Sequence, residues 1–507
     1  MGAFSVIDYV VIAVYLVATI FIGLRFTKRQ ENVEDYFVAG RAAPSWAVAI
    51  SAIATGLSAI SYLGVPAWIY KNDLQLNVAI LLLPFAAWLV AVLFVPLLAR
   101  LRLMTIYEYL ERRFNLAVRT FASGLFLILR GGWLAVGILT QSLLLAALSG
   151  MPLWVCIGIT GVLTAVYTVF GGMEAVLWTD VMQFFVSISG LIVMIVVVLI
   201  SFNGDVGQVL HISHDAGRTK MFDTTWSLTQ ISLWGIIVFQ LVDNLATYGS
   251  DQVMVQRFLT SPSPKAMRRS VMMTGFMTIP VVGLLVAVGL CLGAYYDHHP
   301  ELAAGLKNAN EIVPHFVAHV LPRGVAGLVI AAVIAETMST LSGGFNSLAT
   351  ATVVDFIQRF RKSKPVDPRS DLIMARWVTL SWATASTITA VLLGLSKADK
   401  QIVETFLSIS SLFTGPILGV FLLGLLTRRP GGAAALTGLI VGTAVTWYVS
   451  FMTDVIWLWY APIGFVTTFV VGYVAGLALP NQRKDIDALF ASGPRGFHAI
   501  PLEMSSP

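Results

Sequence analysis

Apolar runs of about 20 residues, the length needed to cross a bilayer, recur from one end of the chain to the other. They lie near 5–26, 45–70, 76–99, 120–148, 152–170, 175–202, 229–249, 271–295, 324–355, 373–396, 402–427, 433–453 and 455–479. The pattern predicts an all-α polytopic membrane protein with about thirteen transmembrane helices. The first run is too long for the core of a signal peptide and carries Asp8, so it reads as a retained helix. An amphipathic segment from Asn308 to Val320 predicts a short helix lying across the outer face.

Three runs do not look like helices facing lipid. The second holds Ser51, Thr55, Gly56, Ser58, Ser61 and Gly64 ahead of Pro66. The seventh ends in Asp243, Asn244, Thr247, Gly249 and Ser250, and the ninth carries Glu336, Thr337, Ser339, Thr340, Ser342, Gly343 and Gly344. Small residues also let helices pack closely, which is their commoner use. Gly-interrupted spans at matching places in two halves mark a transporter's midplane site. The second and seventh runs sit five apart, as the first helices of two inverted five-helix repeats would. The hydroxyls of Ser339, Thr340 and Ser342 can converge with carbonyls freed by a broken neighbour, a donor set that suits a small hard monovalent cation.

Charge within the runs sharpens this. Gly171-Gly172 separates the fifth and sixth runs, and Asp180 lies just inside the sixth. A carboxylate at mid-membrane costs about 2.5–3.5 kcal/mol on insertion scales, so it reads as part of an ion path or as a helix-orienting group. Arg130 is mid-span in the fourth run and must find a partner, either a substrate carboxylate or a structural acid, Asp243 or Glu336.

Hydrophobic residues make up 57% and charged residues 12%, with mean hydropathy +0.81, which excludes an ordinary soluble domain. The net charge is +5, but the basic residues gather in loops after alternate runs (Arg25, Lys28 and Arg29, then Arg100, Arg102, Arg112, Arg113 and Arg119, then Arg257, Lys265, Arg268 and Arg269). That is the positive-inside pattern, and it excludes a nucleic-acid partner as the reason for the charge. It places the N-terminus outside and the C-terminus in the cytoplasm of a cell (inner) membrane protein. Cys156 and Cys291 lie in apolar runs, which implies no disulfide framework. His315 and His319 have i,i+4 metal spacing but lack the acidic helper of a zinc hydrolase.

Five blocks in order carry a family resemblance across the chain. They are Asp35-Tyr36-Phe37 with Gly40-Arg41, Thr105 to Phe114, Gly171 to Gln183, Asp251 to Phe258, and Met338 to Ser342. The chain resembles the sodium/solute symporters, which carry sugars, proline, sialic acid, vitamins and monocarboxylates. The resemblance implies a LeuT-like fold with one helix before the repeats and two after. The expected divisions are 1–44, an extra helix and loop; 45–202, the first repeat; 203–228, an outer loop; 229–427, the second repeat; 428–479, two final helices; and 480–507, a cytoplasmic tail. It implies a sodium site made of carbonyls of Ala54, Leu57 and Glu336 with hydroxyls of Ser339 and Thr340. Some members add a second sodium through the acid at Asp180 and hydroxyls at Ser339, Ser342 and the next residue. That residue is Gly343 here, so one sodium per cycle is expected, with Asp180 and Ser342 as supporting or additional-site residues. A glutamate at 336 departs from the small residue usual there.

The resemblance lines the solute pocket with Ser58, Ser61, Leu76, Ile80, Arg130, Trp133, Asn244, Thr247 and Ser408. Sialic acid members place an Arg at the position of Trp133 and a Gln at that of Ile80, so sialic acid is not the expected solute. The function expected is sodium-coupled import of a small polar solute, an organic acid or a sugar, by alternating access and without chemistry on the solute. A single chain in the bilayer is expected to suffice. Two alternatives stay open: proton coupling on the same fold with Asp180 or Glu336 as carrier, and a transporter-like membrane sensor.

Overall fold

The computed structural model describes residues 5–26, 30–306, 308–361, 367–395 and 400–479, apart from the side chains of 144, 147–149 and 400–411. The expected tail, 480–507, lies outside them. The regular secondary structure of the described residues is helical, with no strand. Nine helices among them are long and apolar enough to cross a membrane.

α1 (Val6–Arg25) opens with a capping box in which Ser5 and Asp8 satisfy each other's backbone amides. Asp8, the acid of the first apolar run, is 2% exposed, and its Oδ1 also accepts from the amides of Gly324 and Gly327 at 2.8 Å. The acid is structural: one carboxylate caps its own helix and the start of another.

The second run is broken where its Gly and Ser cluster. α2 (Ser45–Gly56) ends at Leu57, whose ψ of 137° leaves the helix, and Ser58 caps α3 (Ala59–Lys71) by accepting from the Ser61 amide. The chain continues through Gln75–Leu93 and Val95–Leu101 to a short helix, Tyr107–Arg113, and then to α4 (Leu116–Ser149).

The fifth and sixth runs are the two helical stretches of α5 (Leu153–Ser201), which meet at a kink where Gly172 is not helical (φ 57°, ψ −158°). A side chain there would be strained by the positive φ and would meet Tyr36 Cδ2 at 2.8 Å. The Gly-Gly pair is therefore a bend packed on the Asp35-Tyr36-Phe37 block.

α6 (Leu233–Gly249) stops at Ser250, and Asp251 caps α7 (Gln252–Leu259). α8 (Pro264–His298) follows. The expected outer amphipathic segment is a 3₁₀ turn, Ala309–Glu311, running into Ile312–His319. The outer loop also holds a helix the apolar pattern did not announce, Val206–Asp215.

α9 (Val325–Ala351) is the centre of the molecule: its most apolar window is 83% buried, against 22% for α1. Its many small polar residues do not break it. It continues as a π-turn, Thr352–Gln358, the irregularity that often marks a functional position. α10 (Pro368–Leu395), α11 (Lys400–Leu426), α12 (Gly432–Met452) and α13 (Tyr460–Ala478) complete the bundle.

Candidate cation and solute site

The break between α2 and α3 removes the amides that would receive the last carbonyls of α2. α9 fills the gap. The Thr340 hydroxyl lies 3.1 Å from the Leu57 carbonyl oxygen and 3.0 Å from that of Glu336. The Thr55 carbonyl lies 3.5 Å away as well, so one proton faces three carbonyls, of which those of Thr55 and Leu57 belong to the broken end of α2. Ala54 lies in the same last turn of α2, and its carbonyl has no amide one turn on. Such neutral oxygens fit a sodium ion. The structure thus brings Leu57, Glu336 and Thr340 together, with the Thr55 carbonyl beside them and Ser339 one residue along the chain; Ala54 is in the same turn of α2 as Thr55.

The Ser339 hydroxyl gives its proton to Asp180 Oδ1 at 2.7 Å, and its oxygen lies 3.4 Å from the Thr55 hydroxyl. Ser51 donates to Asp180 Oδ2 at 2.5 Å, and Thr55 reaches the same atom at 3.4 Å. Asp180 is wholly buried, and it faces a cation that the charge pattern had assigned to a cytoplasmic loop. Arg257 is also wholly buried; its Nη2 lies 3.1 Å from Asp180 Oδ2, and its Nε donates to Ser51 at 2.9 Å. Its remaining Nη1 donates to the Val253 carbonyl at 2.8 Å. The placement of Arg257 in a loop is corrected here: α7 folds back into the protein instead of running through solvent. The signal was in the sequence, since Val253, Met254, Val255, Phe258 and Leu259 are more apolar than a loop needs.

Gly343 explains how the guanidinium fits. A side chain at 343 would collide with Arg257 Nη2. The residue that lacks the expected hydroxyl is therefore the space the arginine occupies. Ser342 donates to the Ser339 carbonyl and makes no hydrogen bond to Asp180.

Below the break lies a cavity of about 310 Å³, lined by Thr55, Gly56, Ser58, Arg130, Trp133, Asp243, Thr247 and Asp251 among others. Of the expected solute residues, Ser58, Arg130, Trp133 and Thr247 border it. Ser61, Leu76, Ile80 and Asn244 do not, and Ser408 falls where side chains lie outside the described residues. The Arg130 guanidinium carbon sits 4.5 Å from the centre of the Trp133 ring. Among the described residues Arg130 forms no ion pair with Asp243 or Glu336, and its Nε has no hydrogen-bond partner. The structural pairing considered for Arg130 is not made.

Other family blocks interlock on one side of the bundle. Gln256 donates to the Phe37 carbonyl at 2.8 Å, and Gln252 accepts from the Ile106 amide at 2.8 Å. Asp355, on the π-turn, accepts from Thr105 at 2.6 Å, Ser123 at 2.7 Å and Arg119 at 2.6 Å. Arg119 and Arg359 also clamp Glu111. On the opposite side, the His315 and His319 rings stack 4.2 Å apart, and no group of three or more metal-ligating side chains occurs among the described residues.

The chain is similar to known sodium-coupled symporters in sequence and in fold. The sodium:solute symporter family model matches residues 36–442. The sodium/sialic acid symporter NanT of Aliivibrio fischeri is 31% identical over 500 residues, covering 97% of each chain. Sodium-coupled monocarboxylate transporter 1 of Homo sapiens is 28% identical over 456 residues, 89% of this chain and 74% of that one. The solved structure of a substrate-bound, outward-open Na⁺-coupled sialic acid symporter superposes with a TM-score of 0.86 at 28% identity. It covers 94% of this chain and 98% of that one. A nucleobase-cation-symport-1 family transporter in a closed conformation shares the fold at 13% identity and a TM-score of 0.58, covering 89% of this chain and 96% of that one.

Proposed function

This chain belongs to the sodium:solute symporter family, and on that premise we propose that one sodium ion binds at the α2–α3 break and couples to a solute held in the adjoining cavity. The observation that carries the reading is the meeting of the Thr340 hydroxyl with the Leu57 and Glu336 carbonyls. We assign Ala54, Leu57, Glu336, Ser339 and Thr340 to the ion. Asp180 orients Ser339 and is neutralised by Arg257, so it is not assigned an ion of its own.

The ion draws α9 onto the broken helix by replacing a one-proton, three-carbonyl contact with a coordinated cation. The ordered break forms the roof of the cavity, which couples the two ligands. By linkage, any gain in solute affinity from sodium is matched by an equal gain in sodium affinity from solute. Arg130 and Trp133 form one wall, with a planar guanidinium able to take a carboxylate. The relatives named for sialic acid indicate a polar solute. Trp133, which borders the cavity, stands where the resemblance places an Arg in sialic acid members, which favours a smaller organic acid or sugar.

Thirteen crossings in two inverted repeats, 45–202 and 229–427, remain part of this proposal, as do an outside N-terminus, a cytoplasmic C-terminus and action as a monomer. Thermal stability of the purified protein against organic acids, sugars and amino acids, in sodium and in matched choline salt, tests it. One compound should stabilise only with sodium. Equal stabilisation in both salts would refute coupling at this site and return proton coupling as the better reading.

A further inference from the structure

Glu336 contributes a carbonyl to the proposed sodium site, but its side chain leaves in another direction and is 2% exposed. The Ser187 hydroxyl donates to its Oε1, and its Oε2 has no hydrogen-bond partner. One turn before Ser187 on α5, Gln183 is 1% exposed. Its Nε2 donates to the Tyr15 hydroxyl at 3.3 Å, and its Oε1 also has no partner. Two buried acceptors on adjacent turns are thus orphaned within one packed region, a situation folded proteins rarely leave unresolved.

The charge balance points the same way. Asp180 is matched by Arg257. No Lys, Arg or His among the described residues pairs with Glu336. The other ionisable groups around it are the phenols of Tyr15, on α1, and Tyr62, on α3, and the Asp180 carboxylate; Tyr62 donates to the Ser187 carbonyl at 3.4 Å. None of them supplies positive charge. When ionised, the Glu336 carboxylate has a spare oxygen, with a hydroxyl and an amide oxygen beside it, and lacks a cation.

We propose that Glu336 Oε2, Gln183 Oε1 and the Ser187 hydroxyl hold a second monovalent alkali cation between α5 and α9, separate from the carbonyl site at the α2–α3 break. The inference rests on the sodium-coupled reading above but concerns a different set of atoms. Arg257 has taken the place of an ion beside Asp180, and the uncompensated acid now stands one helical turn before Thr340.

The test is saturation binding of radiolabelled sodium alone to the purified full chain, counted per protein. The wild type should bind two ions, and Glu336→Gln, which keeps the backbone carbonyl, should bind one. Thr340→Ala should weaken the ion at the break and leave the Glu336 ion in place. If Glu336→Gln does not fold, Gln183→Leu and Ser187→Ala should each weaken one of the two ions by about 10–100-fold. One ion in both the wild type and Glu336→Gln, at equal affinity, overturns the Glu336 site and leaves the coupled reading intact. No sodium bound by the wild type removes both.

Discussion

The Asp180–Arg257 pair lies in a region with no solvent to screen it. Removing one member of such a pair leaves a bare buried charge and costs about 3–5 kcal/mol. Arg257→Met and Asp180→Leu should each lower the melting temperature sharply, and the double variant should lose much less than the sum. Additive losses in a thermal melt would show that the two side chains do not act as a pair. Gly343→Ala makes a second, independent case. Replacing a mid-helix glycine by alanine normally gains about 1 kcal/mol. Here it should destabilise, because the new methyl group collides with the Arg257 guanidinium. Asp180 was legible in the sequence because an acid in an apolar run is conspicuous. Arg257 was not, because an arginine next to a span resembles any other loop cation until α7 folds inward. Arg130 was legible as a residue facing the interior, but its choice between solute and structural acid depends on distances that no spacing rule contains.

The helices themselves were read well wherever an apolar run was uninterrupted, and less well at their joints. The break in the second span was visible because Gly56 and Ser58 interrupt it in sequence. The fifth and sixth runs read as two helices because the Gly-Gly pair separates them, and the backbone leaves the helical region between them at Gly172. Gly172→Ala should cost about 1–3 kcal/mol through backbone strain, beyond any collision with Tyr36. The ends of the elements carry the charge networks. Glu111, on the Tyr107–Arg113 helix, lies between Arg119 of α4 and Arg359. Burial alone would push the Glu111 carboxyl up, but hydrogen bonds and charge from Arg359 and Arg119 hold it below the usual glutamate value. A depressed carboxyl stabilises the fold above its unfolded pKa, and that contribution disappears as pH falls through the folded value. Melting temperature followed downward from pH 6 should therefore fall more steeply in the wild type than in Glu111→Gln. Parallel curves would show that the clamp contributes nothing to this side of the bundle.

At the scale of the whole molecule, the two sides of the α2–α3 break are not alike. The cavity extends from Thr55 and Ser58 past Arg130 and Thr247 to Asp251, Met254 and Tyr107, toward the Tyr107–Arg113 helix and the basic loops. On the other side, α3 packs against α8 and the outer-loop helices, with Tyr295, Tyr296 and Phe316 buried over the break. If the basic loops face the cytoplasm, this arrangement holds the solute path toward the cytoplasm, opposite to the outward-open relative it superposes on. Cys156 and Cys291 are both buried and give a low labelling background. Thr247→Cys should therefore react with a membrane-impermeant maleimide in inside-out vesicles and not in right-side-out ones. Sodium with a transported solute should slow that reaction by about fivefold or more, the size of an ordinary coupling free energy. Reaction only from the outside would invert the orientation drawn from the charge pattern while leaving the site intact. Reaction that ignores sodium would mean that the break and the cavity are not mechanically joined.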